Sequence, residues 1–80
     1  MKKVEIDLTQ LQPGERGVIK EMQGGHGFIR KLQSIGVRSG KIITKVSFHF
    51  WRGPQTVEVD NIQIAIGFGM AKRIMVEVER

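Results

Sequence analysis

The stretch GGHGFIRKLQSIGVRSG, Gly24 to Gly40, reads as a loop, a short helix, a glycine stop and a tight turn. Phe28, Ile29, Leu32 and Ile35 fall at i, i+1, i+4 and i+7, one apolar stripe on a helix. Arg30, Lys31, Gln33 and Ser34 take the opposite face. Gly36 stands where a helix ends in the left-handed conformation, which a Cβ resists. Val37 is then expected to fold back on Leu32, and Arg30 and Lys31 suit the negative end of the helix dipole. So short a helix is marginal by itself in water. It must lie on the rest of the chain, and the flanks say what that is.

The flanks read as strands. Before the helix, Leu8, Leu11 and Pro13-Gly14 form apolar anchors and a turn. Arg16–Met22 alternates, with Val18 and Met22 on one face and Gly17, Ile19 and Glu21 on the other. After Ser39-Gly40, a strand runs from Lys41 to Trp51. Ile42, Thr44, Val46, Phe48 and Phe50 share one face, expected in the core; Lys41, Ile43, Lys45, Ser47, His49 and Trp51 share the other. Arg52-Gly53-Pro54 makes a hairpin tip, and Gln55–Asp60 returns with Val57 and Val59 inward. Asp60-Asn61 turns, Ile62, Ile64 and Ile66 mark a further strand, and Gly67-Phe68-Gly69 breaks it. Met70–Arg73 makes one helical turn before a last strand, Ile74–Glu79.

The chain is therefore mainly β: a small barrel of about five strands with one short inserted α-helix, a single domain over residues 1–80. Sheets of this size hide their edges by closing, here with Ile74–Glu79 against Arg16–Met22 and the helix over one open end.

Composition narrows the function. There is no cysteine, so no disulfide and no thiolate nucleophile or ligand, which suits a reducing cytosol. The first residues lack the apolar run of a signal peptide, and no stretch approaches the roughly 20 apolar residues that span a bilayer. A cytoplasmic protein is expected, meeting a membrane only through a partner at its inner face. Net charge is +5, and no acidic residue occurs between Met22 and Val57, where Arg30, Lys31, Arg38, Lys41, Lys45 and Arg52 lie. Such a segment is either a solvated surface or a basic face for an anionic partner.

Chemistry is sparse. Ser34, Ser39 and Ser47 stand in no recognisable arrangement with a His and an acid, so no catalytic residue is assigned and an enzyme is not expected. His26 and His49 have no metal-ligand spacing, and Asp60, Glu77 and Glu79 could hold a hard cation only if the fold gathered them. Neither metal nor cofactor is expected. Gly24-Gly25-His26-Gly27 precedes a helix N-terminus but lacks the Gly-Lys-Ser/Thr of a phosphate loop. Small basic barrels bind nucleic acid with stacking aromatics, yet here only Trp51 and Phe68 are left for that, so nucleic acid is not the expected partner. Trp51 beside Arg52 at a hairpin tip fits a protein-docking anchor.

The ordered pattern L-x-x-L-x-P-G, V-I-x-x-M, R-K-L-x-x-I-G-V-x-x-G-x-x-I, R-G-P-x-x-V-x-V, I-A-I-G and A-x-x-I-x-V resembles the FeoA family of bacterial ferrous-iron uptake. Its structural positions here are Leu32, Ile35, Gly36, Gly40, Gly53, Pro54 and Ala71. The resemblance implies an SH3-like barrel and a partner, the FeoB-type membrane GTPase and iron transporter, which such a protein modulates without carrying iron. The expected docking surface is Arg30, Lys31, Arg38, Trp51 and Arg52. Two departures stand out: Ser39 precedes Gly40 where the family often has proline, and Gly67-Phe68-Gly69 stands where a charged residue is common. A related domain occurs in metal-dependent repressors of the diphtheria-toxin-repressor type, but that reading needs an attached DNA-binding domain. The third alternative is a small barrel binding nucleic acid by charge.

Overall fold

The computed structural model describes residues 2–48 and 53–80. Elements follow in the order β1 (Lys3–Asp7), a 3-10 turn (Leu8–Gln10), β2 (Arg16–Met22), α1 (His26–Ser34), β3 (Ile42–Phe48), β4 (Gln55–Val59), β5 (Ile62–Ile66), α2 (Phe68–Ala71) and β6 (Ile74–Glu79). The strands form one antiparallel sheet in the order β1-β6-β2-β3-β4-β5. Every element contributes to one buried apolar cluster, so the sheet curls around a single core. β6 pairs with β2, as expected, and also with β1.

Six strands stand where about five were expected. β1 is the addition: Lys3–Asp7 alternates charged and apolar residues over only five positions, and its pairing with β6 decides it. A local cap then turns the chain. Asp7 accepts from the Thr9 N–H at 2.9 Å, and the Asp7 N–H donates to Gln10 Oε1 at 3.0 Å. That turn carries Leu8 and Leu11 into the core, fully or nearly fully buried. Each stabilises the fold by about 1.5–3 kcal/mol.

β2 corrects the expected alternation. Gly17, Ile19 and Met22 are buried together, because the register on β6 shifts between Ile19 and Glu21. The extra residue, Lys20, returns Met22 to the core side. At Gly17 the sheet closes tightly: a Cβ there would lie 2.7 Å from the Glu77 carbonyl oxygen and 2.8 Å from Val78 Cγ1.

β3 reverses the expected face. Ile43 and Lys45 are buried, whereas Ile42 is 56% exposed and Val46 38%. The register sets this: Ile43 lies opposite Gly17, on the inner side of the sheet. The charged group inside is accommodated by acceptors from distant sequence. Lys45 Nζ donates to the Leu11 carbonyl and to Gln55 Oε1, both from buried surroundings. The expected strand end at His49, Phe50 and Trp51 and the tip at Arg52 lie outside the described residues, as does the Phe48 side chain.

β4 buries Val57 and Val59 as expected, together with Gln55. Asp60 and Asn61 form the two-residue link to β5 with φ of 52° and 65°, the left-handed pair such a hairpin requires. α2 starts at Phe68, two residues earlier than expected, and buries Ala71.

Candidate protein-docking site

The helix is built as its residues dictate. Gly25 caps α1 without a side-chain hydrogen bond, Leu32 is buried, and Phe28 and Ile29 pack partly against the core. The stop at Gly36 has φ +98°. Its N–H donates to the Gln33 carbonyl at 3.1 Å, and the Val37 N–H reaches back to Leu32 at 2.9 Å. That pair of hydrogen bonds closes the last turn, and Val37 enters the same core as Leu32. Ile35 departs from its expected place. The helix ends at Ser34, the Ile35 backbone (φ −99°, ψ 8°) has left the helical region, and the residue is 41% exposed. Val37 takes the inward position that the stripe assigned to Ile35.

With this stripe seated, Arg30 and Lys31 are exposed. Arg38 is exposed too, and its Nε donates to the Gln33 carbonyl at 3.3 Å, at the negative end of the helix. The turn at Ser39-Gly40, with Gly40 at φ +92°, then ties this corner to β2. Ser39 Oγ donates to the Lys20 carbonyl and the Gly40 N–H to the Ile19 carbonyl. Absence of proline before Gly40 thus leaves an ordered turn.

Two backbone carbonyls from distant sequence also meet this region. The Gln23 N–H donates to the Arg73 carbonyl at 2.7 Å, and the Arg73 guanidinium lies 5.5 Å from the centroid of the Phe28 ring. The Ser39 bond brings in Lys20. Neither was legible in the sequence: Lys20 is singled out only by the bulge, and Arg73 follows α2, far along the chain. Conversely, two cations of the acid-free segment are otherwise engaged. Lys41 pairs with Asp60 at 2.9 Å, and Lys45 is inside. The exposed cations of the acid-free segment among the described residues are therefore Arg30, Lys31 and Arg38, while Lys20 and Arg73, also exposed, lie where their backbone carbonyls meet Ser39 and Gln23. Trp51 and Arg52 fall outside the described residues; Gly53 is half-buried and Pro54 exposed beside them.

The hydroxyls of Ser34 and Ser39 donate to backbone carbonyls, so they serve local structure. Asp60 is engaged by Lys41 at the β4–β5 turn, while Glu77 and Glu79 lie on β6. Among the described residues no group of three or more His, Cys, Asp or Glu is placed to hold a metal ion. No helix among them is long and apolar enough to cross a membrane.

A family model of the FeoA domain matches residues 6–78. The chain belongs to the FeoA family. A Methanocaldococcus jannaschii protein with the provisional name Fe(2+) transport protein A is 33% identical over 70 residues, 88% of this chain and 83% of that one. A crystal structure of the iron uptake regulatory protein FeoA superposes with a TM-score of 0.86 at 33% identity, covering 94% of this chain and all of that one. The FeoA of Stenotrophomonas maltophilia, solved with zinc and described as an SH3 domain protein, gives 0.76 at 24% identity over 89% of this chain and 88% of that one. That likeness shows the fold, which is SH3-like. A manganese-dependent transcriptional repressor gives 0.86 at 18% identity, covering 99% of this chain but 44% of the repressor. The same domain architecture thus occurs in FeoA proteins and within a longer metal-dependent regulator.

Proposed function

We propose that this chain is an accessory protein of ferrous-iron uptake that docks on the cytosolic side of an FeoB-type membrane GTPase and modulates it, carrying no iron itself. Membership of the FeoA family supports the assignment to iron uptake. The observation that carries the docking mode is the exposed cluster of Arg30, Lys31 and Arg38 on and beside α1. Neither Arg30 nor Lys31 is in an ion pair among the described residues, so their charge is available to an acidic partner surface. Opposite charge at an interface chiefly speeds encounter and sets orientation. Trp51 and Arg52 supply the anchor in this reading, since interfaces concentrate energy in such residues.

Binding of the purified chain to the FeoB-type transporter in detergent tests the proposal, with and without guanine nucleotide, beside a random oligonucleotide at two salt concentrations. Saturable binding to the transporter is the expected result. Binding to the oligonucleotide alone, falling steeply with salt, would instead make this a nucleic-acid-binding barrel.

A further inference from the structure

β3 changes its alternation part-way along. Up to Lys45 the odd-numbered residues lie inside: Ile43 and Lys45 are buried, with Lys45 opposite Val57 and Thr44 opposite Glu58. Beyond Val46 the register on β4 shifts by one, and odd-numbered Ser47 is exposed opposite Thr56. Val46 is thus the extra residue of a bulge, which reverses the faces of the strand. The stretch before it carries an inverted pattern, with a lysine inside while Ile42 and Val46 are exposed. Moving the bulge to Lys41, beside the Gly40 turn, inverts that stretch and leaves the rest of the ladder in place. Each of residues 42–46 then takes the position of the residue before it. Val46 comes inside opposite Val57, Ile43 comes opposite Val18 in place of Ile42, and Lys45 goes outside opposite Glu58. Glu58 is in no ion pair among the described residues.

We propose that β3 exchanges between these two bulge positions, with Lys45 inside in one and outside in the other. The terms that separate the two states oppose each other. With the bulge at Val46, the ammonium leaves water and gains the Leu11 carbonyl and Gln55 Oε1 as acceptors. A buried charge recovers little or nothing net from such partners. With the bulge at Lys41, the ammonium is hydrated and faces a carboxylate, while Ile42 and Val46 gain cover and Ile43 loses it. Periodicity favours neither arrangement, because both faces of the stretch carry apolar residues. The backbone bonds survive the exchange: those of Lys45 with Gly14 and Glu15 pass to Val46, which arrives at the same position. The device uses none of Arg30, Lys31, Arg38, Trp51 or Arg52, so it stands or falls separately from the proposed function.

Disulfide capture tests this, since the chain has no cysteine. Val18 and Ile42 are directly opposite, and Ile43 is buried on the other face. Directly opposed Cα atoms lie about 4.5–5.5 Å apart, within disulfide reach. In a glutathione buffer, Val18→Cys with Ile42→Cys therefore reports the bulge at Val46, and Val18→Cys with Ile43→Cys the bulge at Lys41. Both pairs should close. Lys45→Met should lower the effective concentration of the second pair at least about tenfold, because methionine gives up its burial on leaving the core, and should not lower that of the first. Glu58→Gln should lower the second pair about two- to fivefold. A purely structural role for Lys45 gives the opposite sign, since a destabilising substitution raises cross-linking through unfolded chains. In the cysteine-free chain, NMR saturation transfer should find a minor state confined to residues 41–46 and their partners on β2 and β4. A second pair that closes no better than in the urea-unfolded chain, a yield that Lys45→Met raises or leaves unchanged, indifference to Glu58→Gln, or the lack of any minor state each overturns the proposal.

Discussion

Lys45 Nζ donates to the backbone carbonyl of Leu11 at 3.0 Å, joining residues 34 apart in sequence inside the core. The bond holds the loop after the 3-10 turn against the β3–β4 ribbon, where Gln55 supplies a second acceptor. Reciprocal backbone bonds reinforce it: the Lys45 N–H donates to Glu15 O and the Gly14 N–H to Lys45 O. Lys45→Met keeps the length of the side chain but leaves both acceptors without this donor. We expect a loss of about 1–3 kcal/mol in urea unfolding at neutral pH.

The same residue predicts a pH trend. Burial pulls the Lys45 ammonium below its usual pKa, with the charges of Asp7 and Glu15 opposing the shift. A base depressed on folding binds fewer protons folded than unfolded, so stability rises with pH between its folded value and the unfolded value of about 10.4. The stability advantage of wild type over Lys45→Met should therefore widen as pH rises towards about 10. Equal slopes for the two proteins would refute the burial effect.

Gly36 has φ +98° and nothing within 4 Å of where a Cβ would be, so a substitution there meets backbone strain alone. Gly36→Val should cost roughly 1–2 kcal/mol or more, and Gly36→Asn clearly less, because Asn tolerates this conformation. Equal melting temperatures for the two variants would contradict the helix stop.

Two glycines should respond in opposite senses. Gly17→Ala drives a methyl into the β6 backbone and should destabilise by about 1–3 kcal/mol, since the neighbour at 2.7 Å is a carbonyl oxygen. Gly27→Ala meets open space within α1 and should stabilise by about 0.5–1 kcal/mol. Thermal denaturation of both checks the pair.

Arg80 binds Glu15 through two hydrogen bonds, Nε to Oε2 at 3.1 Å and Nη2 to Oε1 at 3.0 Å. The guanidinium, helped by the Gln12 N–H, holds the Glu15 carboxyl below its usual pKa. An acid depressed on folding contributes stability above its unfolded pKa, about 4.3, which is lost as pH falls through the folded value. The melting temperature of wild type should exceed that of Arg80→Gln at neutral pH, and the gap should close on acidification. A gap independent of pH would assign the Arg80 effect to packing.

Charge reversal at the proposed docking surface gives the functional test. Arg30→Glu with Lys31→Glu should slow association with the transporter and weaken its salt dependence, with little change in melting temperature, since both residues are exposed. An unchanged on-rate would remove α1 from the interface.

How much of this was legible in the sequence depends on how local the cause is. The glycine stop at Gly36 and the Asp60-Asn61 turn are decided by backbone conformations that few residues accept, so neighbouring residues suffice to place them. The apolar stripe of α1 was read correctly through Leu32 and failed only at Ile35, where the helix had already ended. For the proposed docking surface, the sequence singled out Arg30, Lys31 and Arg38, which are exposed in the fold, whereas the placing of Lys20 and Arg73 beside Ser39 and Gln23 rests on a bulge and a long-range backbone bond.

The sequence by itself determined the class of each element, most turns and the apolar residues that could form a core, because periodicity and glycine or Asx conformations act over a few residues. Tertiary structure alone decided which face of β3 is inside. Both faces carry apolar residues, and the choice rests on pairing Ile43 with Gly17 and on giving Lys45 acceptors from Leu11 and Gln55. A lysine that reads as a surface charge is buried because its partners, distant in sequence, are brought to its ammonium by the curled sheet.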